Sequence, residues 1–547
     1  LVVPDKKRKE ANASETQQAA GAYVATPKRG MHEWVGAVDI NSLYPSTIRA
    51  LNMAPETIVA QVRQTLTDKY MKDKALKLGA AKKRAKEGDE VWGAILWEGL
   101  FGVLEYTAIM NQERGTILTV DYEDGRSVEM SAAEIWKMVF DSHKPWMLSA
   151  NGTIFTYEKE GVIPGLLTRW YTERKATQKL AKEAYGTDMY EYYDKRQLVR
   201  KILLNSAYGA LLNEHCRFYD KRIGQSVTLS GRQIVRHMMS QINSVVTGEY
   251  THEGDAIVYG DTDSCYFSAY TTMKSQIDSG ELEWNKETCI GLYDAIADEA
   301  NSSFPAFMEK AFHAPRKNGE IIKAGRELIG DRSIFITKKR YAINIFDKEG
   351  KRKDKDGAKG DVKAMGLDLK RADTPKYVQE FLMNVLCMVI QQGKSREEVI
   401  EVIKEFKRTL SAQDPWTKGS PKSVNNLTNH TNNWLKTGKC GVGHAMAAIN
   451  WNYLRDMHND NYSQKIVDGM KIVVCKLKPN ALKMTSVAYP TDELRLPEWF
   501  KELPFDDDLM ESTLVTEKVE NLLGVLNWEL RENTDTKSTF DDLFTFG

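Results

Sequence analysis

Three stretches of this 547-residue chain carry side chains that could manage phosphate and metal chemistry. The first is Tyr259-Gly260-Asp261-Thr262-Asp263-Ser264, with two carboxylates two residues apart. Alternate residues of an extended chain face the same way, so both can aim at one point. Gly260 is expected to permit the sharp backbone of the turn. Clustered carboxylates repel one another unless a cation lies between them. Magnesium prefers oxygen ligands and commonly takes one or two carboxylates plus substrate phosphates. Taken alone, Asp-x-Asp in a hairpin is equally well only a turn. The second stretch, Asp39-Ile40-Asn41-Ser42-Leu43-Tyr44-Pro45-Ser46, changes that balance. It ends an apolar strand in a carboxylate, where an unpaired charge is costly. Asp39 and Asp263 could supply the shared ligands of a two-metal site, whose ions lie about 3.5–4 Å apart and stabilise attacking and leaving oxygens.

The third stretch is Arg200-Lys201-Ile202-Leu203-Leu204-Asn205-Ser206-Ala207-Tyr208-Gly209-Ala210. Lys201, Asn205 and Tyr208 fall on one helix face. A cation, an amide and an aromatic ring on one stripe suit phosphate, sugar and base. Gly209 and Ala210 would let a base pair approach closely. A glycine inside a helix costs about 1 kcal/mol against alanine and so wants a reason. The plainer alternative is a surface helix whose tyrosine packs on the core.

These groups need elements to hold them. Trp34 to Ile40 reads as a buried strand, followed by a helix with Pro45 at its first turn and continuing over 46–52. Residues 59–90 read as a basic helix carrying Lys82, Lys83, Arg84 and Lys86, most simply a solvated face. Residues 92–160 mix short strands and turns, with hairpin turns at Asp124-Gly125 and Asn151-Gly152. A helix spans 165–185 and stops at Gly186. A second opens at Asp188-x-x-Glu191, a capping-box pattern, and runs to about 212. Residues 214–250 are mostly helical. Ala256–Tyr259 and Ser264–Phe267 are strands around the Asp-x-Asp turn. Residues 333–370 are strand-like with a charged turn at 347–361, Thr374 to about 412 is helical, and 413–500 is mixed.

Composition sets the outer bounds. With 42% hydrophobic residues the chain can bury a core, and its length suits three or more subdomains. Seventy-six basic residues balance 76 acidic ones, so any nucleic-acid site must be a local basic surface. Residues 195–236 carry nine basic and two acidic side chains, and 332–371 carry thirteen and six. Such stretches could grip phosphates without reading sequence. The mean hydropathy of −0.48 and the lack of a long apolar run argue against a membrane span. Six scattered cysteines without a CxxC pair indicate neither a zinc site nor a disulfide framework, and a reducing compartment is expected. The start, Leu-Val-Val-Pro-Asp-Lys-Lys-Arg-Lys, has no signal-peptide pattern and reads as a fragment or processed product.

In this order the three motifs resemble family B DNA polymerases, nearest the replicative enzymes of large tailed phages. The resemblance extends to Gly21-Ala22-Tyr23-Val24, Lys338-Lys339-Arg340-Tyr341, Met365-Gly366-Leu367 with Thr374-Pro375, and Lys439-Cys440-Gly441-Val442-Gly443-His444. It touches most of 20–547 except about 60–147. It implies an α+β, right-hand polymerase fold of palm (antiparallel sheet plus helices), fingers (a helix pair) and thumb. The implied divisions are a lead-in at 1–30 and a first palm part at 31–58. A palm insertion of unknown role at 59–148 is followed by palm at 149–164 and fingers at 165–212. A second palm part at 213–372 precedes a thumb at 373–536 and a tail at 537–547.

The resemblance also implies roles. Asp39 and Asp263 would hold two Mg²⁺ ions, with Mn²⁺ as a substitute, helped by the Ile40 carbonyl. Asp261 would assist near the primer 3′-hydroxyl, and Glu327 is a further acidic position. Ser42, Leu43, Tyr44, Arg174, Lys201, Asn205 and Tyr208 would serve the incoming dNTP, with Tyr44 excluding a ribose 2′-hydroxyl. The family's second fingers cation falls at Gln178 here, and Lys179 beside it is the expected substitute at the dNTP. One position turns a helical side chain by about 100°. Gly209, Tyr259, Lys338, Lys339, Arg340 and Tyr341 would meet primer-template DNA. Phe540, Leu543, Phe544 and Phe546, in the polar acidic tail, resemble a sliding-clamp-binding peptide; their alternative is packing back on the thumb.

The implied activity is template-directed addition of dNTPs to a primer, in the cytoplasm of an infected bacterial host. Because the chain starts at the palm boundary, no proofreading is expected from it, and a separate exonuclease-bearing polypeptide is an expected partner. Rival readings are a reverse transcriptase or RNA polymerase, a protein-primed polymerase, and a DNA-binding scaffold with a decayed site.

Overall fold

The computed structural model describes residues 21–64, 102–213, 215–528 and 530. The basic run at 82–86 and the aromatic tail at 540–546 lie outside the described residues. The chain forms two compact units, 1–26 with 36–328 and 27–35 with 329–547. Two strands, β1 (Gly30–Ile40) and β9 (Ala324–Thr337), contribute residues to both.

The first unit contains the chemistry-bearing turn. Here β1 pairs antiparallel with β8 (Ser264–Phe267), which pairs antiparallel with β7 (Ile257–Asp261). Residues 35–38 of β1 and all of β8 are buried, as an apolar strand covered on both faces requires. After β1 the chain turns into α1 (Leu43–Ala50). A second antiparallel sheet runs β4-β3-β2-β6-β5. Its strands are β2 (Ile58–Gln64), β3 (Ile117–Tyr122), β4 (Ser127–Ser131), β5 (Trp146–Leu148) and β6 (Thr153–Thr156). The two expected hairpin turns are present. Gly125 at φ +92° joins β3 to β4, and Gly152 at φ +81° joins β5 to β6.

Two expectations for this region fail. Residues 58–64 form a strand rather than the start of a basic helix, because β2 is paired on both sides, to β3 and β6. Tertiary pairing outweighs local composition there. The strand-and-turn region also holds two helices, α2 (Val103–Met110) and α3 (Ala132–Phe140). The second is set by a capping box in which the Ser131 hydroxyl accepts from the Glu134 N–H and the Glu134 carboxylate accepts from the Ser131 N–H.

The long helices follow. α4 (Val162–Glu183) and α5 (Met189–Leu212) form a pair bridged by Arg200 and Glu173 at 2.6 Å. The expected capping box at Asp188 is not formed. Asp188 is itself helical, at φ −59° and ψ −24°, and its side chain makes no cap bond. α6 (Lys221–Thr247) is started by the Asp220 carboxylate accepting from the Arg222 N–H at 2.9 Å and closed by Gly248 at φ +83°. α7 (Tyr270–Asp278) precedes α8 (Lys286–Phe312), which packs along α6.

In the second unit β9 neighbours β10 (Arg340–Lys348), which pairs with β11 (Lys351–Arg352) and β12 (Asp361–Met365). α9 (Lys376–Ile390) and α10 (Arg396–Ser411) pack through a core including Val385, Leu386, Val399 and Ile403. α13 (Glu517–Leu523) closes the same core. Between them lie α11 (Leu427–Thr437), α12 (Gly443–Met457) and the antiparallel sheet β13 (Ser420–Ser423), β14 (Lys471–Lys476) and β15 (Ser486–Pro490). Their separate core surrounds Trp451 and Phe500.

Candidate metal and nucleotide site

Strand register decides which carboxylates meet. Asp39 on β1 stands opposite Ser264 on β8, and Asp261 on β7 stands opposite the same Ser264. The turn between β7 and β8 therefore delivers Asp261 and Asp263 beside the end of the strand that carries Asp39. Main-chain hydrogen bonds hold that relation. The Ile40 N–H donates to the Asp263 carbonyl at 2.9 Å, and the Asp263 N–H to the Asp261 carbonyl at 2.7 Å. The sequence signature near residue 23 has its purpose here too. The Thr262 N–H donates to the Tyr23 carbonyl at 2.8 Å, and the Ala25 N–H to the Gly260 carbonyl at 2.9 Å.

The glycine of the turn is required for a different reason from the one expected. The residue with a left-handed backbone is Thr262, at φ +62°. A Cβ on Gly260 would instead lie 2.8 Å from the Met239 sulfur on α6. Gly260 is there for close approach, not for turn geometry. Thr262 accommodates its conformation with a side-chain bond, its hydroxyl donating to the Asp261 carboxylate at 2.9 Å.

All three aspartates are part-buried at adjacent strand ends. Among the described residues, no three His, Cys, Asp or Glu side chains are gathered closely enough to hold an ion. Mutual repulsion of ionised carboxylates opposes such closure. The donor chemistry nonetheless fits a hard divalent cation: three carboxylates and the nearby Ile40 carbonyl are all oxygen. Glu327 lies part-buried on β9, a strand that neighbours β1.

A pair of tyrosines borders these carboxylates. The rings of Tyr44 and Tyr208 lie 4.4 Å apart, and the Tyr208 hydroxyl is hydrogen-bonded to Thr228 on α6. Burial pushes the Tyr44 phenol above its usual pKa. Tyr208, Asp263 and Asp261 add to the rise, and Arg232 opposes it. The phenol is thus a neutral edge near Asp261 and Asp263. Ser42 precedes α1 with φ +50° and makes no side-chain cap bond. The first N–H groups of a helix lack carbonyl partners within it, and such an end suits an oxyanion.

The helix pair α4–α5 supplies candidate phosphate contacts. Arg174 on α4 is part-buried and its Nε has no hydrogen-bond partner. Burial also lowers its pKa. An enclosed guanidinium with an unused donor fits an anion that binds there. Gln178, one turn on, faces α5 and reaches Gln197 at 3.5 Å. Lys179 points away into solvent and lies 3.9 Å from Glu183. The expected cation at 179 is therefore turned off the Arg174 face, as a one-position shift on a helix dictates. Lys201 and Asn205 are exposed on α5.

The remaining nucleic-acid candidates divide. Gly209 is exposed, and a Cβ there would meet nothing within 4 Å. Its own fold does not require glycine, which leaves room for a bound molecule. Tyr259 is only 1% exposed, and its hydroxyl donates to Asp261 at 3.3 Å. It supports a carboxylate and has no ring surface to offer DNA. In the second unit Lys338 and Lys339 are exposed between β9 and β10. Arg340 pairs with Asp368 at 3.0 Å, and Tyr341 is buried against Phe335. Tyr341 too underlies a surface instead of forming it.

Sequence reasoning missed the α6 residues Thr228, Gly231 and Arg232, which touch or face the tyrosine pair. A signal existed in Gly231, a glycine in the middle of a long helical stretch.

A family model described as DNA polymerase family B matches residues 1–281. The DNA-directed DNA polymerase of Enterobacteria phage T4 is 26% identical over 501 residues, 87% of this chain and 51% of that protein. That of Escherichia phage RB69 is 26% identical over 554 residues, 97% of this chain and 57% of that protein. DNA polymerase 1 of Pyrococcus abyssi is 24% identical over 411 residues, 75% and 36% respectively. The chain spans about half the length of the phage relatives it matches.

Proposed function

This chain belongs to DNA polymerase family B, and from that premise we propose that it is a DNA-directed DNA polymerase extending a primer by two-metal catalysis during phage genome replication. The observation that carries the reading is the register that sets Asp39, Asp261 and Asp263 at adjacent strand ends beside the Tyr44–Tyr208 pair. Asp39 and Asp263 would hold two divalent ions, Mg²⁺ by preference, with Asp261 and the Ile40 carbonyl assisting and Glu327 nearby. The metals supply charge neutralisation at the attacking and leaving oxygens. The protein's share is placement.

Tyr44 closes the sugar side of the pocket. Arg174, Lys201, Asn205 and the N–H groups at Ser42 and Leu43 receive the triphosphate, while Tyr208 and Gly209 border the nascent pair. We assign the palm to the sheet with β1, β7 and β8, the fingers to α4–α5, and the thumb to the chain from 373 onward. Lys338, Lys339 and Arg340 bind duplex phosphates. A sliding clamp, bound through Phe540, Leu543, Phe544 and Phe546, and a separate exonuclease-bearing polypeptide are the proposed protein partners. The proposed location is the cytoplasm of the infected host; among the described residues no helix is long and apolar enough to cross a membrane.

The test is extension of a labelled primer on a DNA template with dNTPs and Mg²⁺. Wild type is expected to extend it. Asp263→Asn is expected to fall by roughly a hundredfold to a thousandfold, the scale of losing one transition-state charge stabiliser. Full activity in the variant would exclude the assignment. Extension with rNTPs in place of dNTPs would favour an RNA polymerase instead.

A further inference from the structure

α6 runs past both tyrosines, and one face of it is unusually bare. Gly224, Thr228 and Gly231 fall at spacings of four and three, so they share that face. Each meets a side chain from a neighbouring helix. A Cβ on Gly224 would overlap Leu212 at the end of α5, at 2.0 Å from its Cδ2. Thr228 holds the Tyr208 hydroxyl. A Cβ on Gly231 would lie 3.3 Å from the Cε1 and 3.5 Å from the Cδ1 of Tyr44, and 3.4 Å from the Cδ2 of Leu43.

Gly231 has no backbone reason to be glycine. It is inside a 27-residue helix and its φ is not positive. Alanine there would gain about 1 kcal/mol in helix propensity. What the position gives up in propensity it returns as a seat for the Tyr44 ring. Tyr208 bounds the same ring on another side, at 4.4 Å between centroids. The position of Tyr44 is thus fixed between a missing methyl group and a tethered tyrosine.

We infer that Gly231 is a specificity-determining positioning residue: by letting Tyr44 sit back against α6, it sets the depth of the sugar pocket for the incoming nucleotide. The inference rests on the polymerase reading above and adds a residue to it. A methyl group at 231 has 3.3 Å where a relaxed contact needs more, so the ring must shift by a few tenths of an ångström. Between α6 and Tyr208 its way out is into the nucleotide pocket. The cost then falls on binding the sugar more than on the chemical step.

The experiment is single-nucleotide primer extension at varied dNTP, with Gly231→Ala in two backgrounds. In otherwise wild-type protein, KM for the dNTP is expected to rise roughly threefold or more with kcat changed less than about twofold. In a Tyr44→Ala background, which removes the ring, Gly231→Ala is expected to leave KM unchanged. A thermal melt of Gly231→Ala should be no lower than wild type, which separates seating from misfolding. Two results would overturn the inference: an unaltered KM in the single variant, or an equal rise with and without the Tyr44 ring. If the single variant instead melts below wild type, the pair Tyr44→Ala and Tyr44→Ala/Gly231→Ala decides, because seating predicts that without the ring the substitution at 231 no longer lowers the melt. Wild-type protein that extends no primer at all would instead remove the polymerase reading, a distinguishable failure.

Discussion

At the scale of single residues, the sequence motifs point to Asp39, Asp261 and Asp263, and register brings the three to adjacent strand ends. The turn's glycine shows how a correct residue can be valued for the wrong reason. Gly260 resembles a turn glycine in sequence, yet Thr262 carries the positive φ and Gly260 makes room for the fully buried Met239. This separates two outcomes. Gly260→Ala should cost about 1–3 kcal/mol in chemical denaturation, as overpacking of a close-packed site does. Adding Met239→Ala should return much of the activity lost, since the methyl group then has space. If the turn itself required glycine, the second substitution would recover nothing. Primer extension by the single and double variants reads the difference.

At the scale of elements, α6 and α8 form the support behind the β7–β8 hairpin. Between them His237 is buried, stacked on Phe307 at 4.0 Å, with its ring nitrogens at 2.7 Å from the Tyr250 hydroxyl and 2.8 Å from the Ser303 hydroxyl. Burial pushes its pKa down to about 4. The folded state therefore binds fewer protons than the unfolded state between an ordinary histidine pKa near 6.5 and about 4. The contribution is fully present above pH 6.5 and is lost as pH falls through that window. A shift of this size corresponds to a few kcal/mol, about 3 at most. Urea denaturation at pH 7 and pH 4.5 should show His237→Gln losing less stability on acidification than wild type, although it is less stable at pH 7. Parallel pH profiles would rule out His237 as the source. His32, His252 and His444 are also depressed by burial and add the same sign in both proteins.

At the scale of the molecule, the second unit holds two separate cores and an ion pair with one partner fully enclosed. Lys418 is fully enclosed, with its ammonium 2.7 and 2.8 Å from the Asp507 carboxylate oxygens. Asp507 keeps 37% of its side chain exposed. Removing either partner therefore has unequal effects. Asp507→Asn removes the charge that balances an enclosed cation, leaving it an amide oxygen and the Ser411 carbonyl at 3.4 Å, and is expected to cost toward the lower end of about 3–5 kcal/mol. Lys418→Met leaves a carboxylate that water can reach and fills the space with apolar volume, so it should cost clearly less. Denaturation midpoints of the two variants measure the order, and a larger loss for Lys418→Met would contradict it.

Much of this protein was legible before any coordinates. The apolar run leading into Asp39, the Asp-x-Asp turn and the Lys201–Tyr208 stripe are local patterns, and local patterns fix strands, turns and helix faces through a few residues of backbone geometry. The mixed fold with an antiparallel sheet was implied by the family resemblance that those motifs carry. Burial and distant pairing decided the rest. Residues 58–64 became a strand because partners 54 to 97 residues away offered hydrogen bonds on both sides. Tyr259 and Tyr341 moved from expected contact surfaces to supporting positions because neighbouring strands covered them. Lys179 lost its expected place to a rotation that only the packing of α4 on α5 could display. The seat that Gly231 makes for Tyr44 joins residues 187 positions apart. No pattern along the chain encodes that separation, since a contact of this kind exists only once two helices have met.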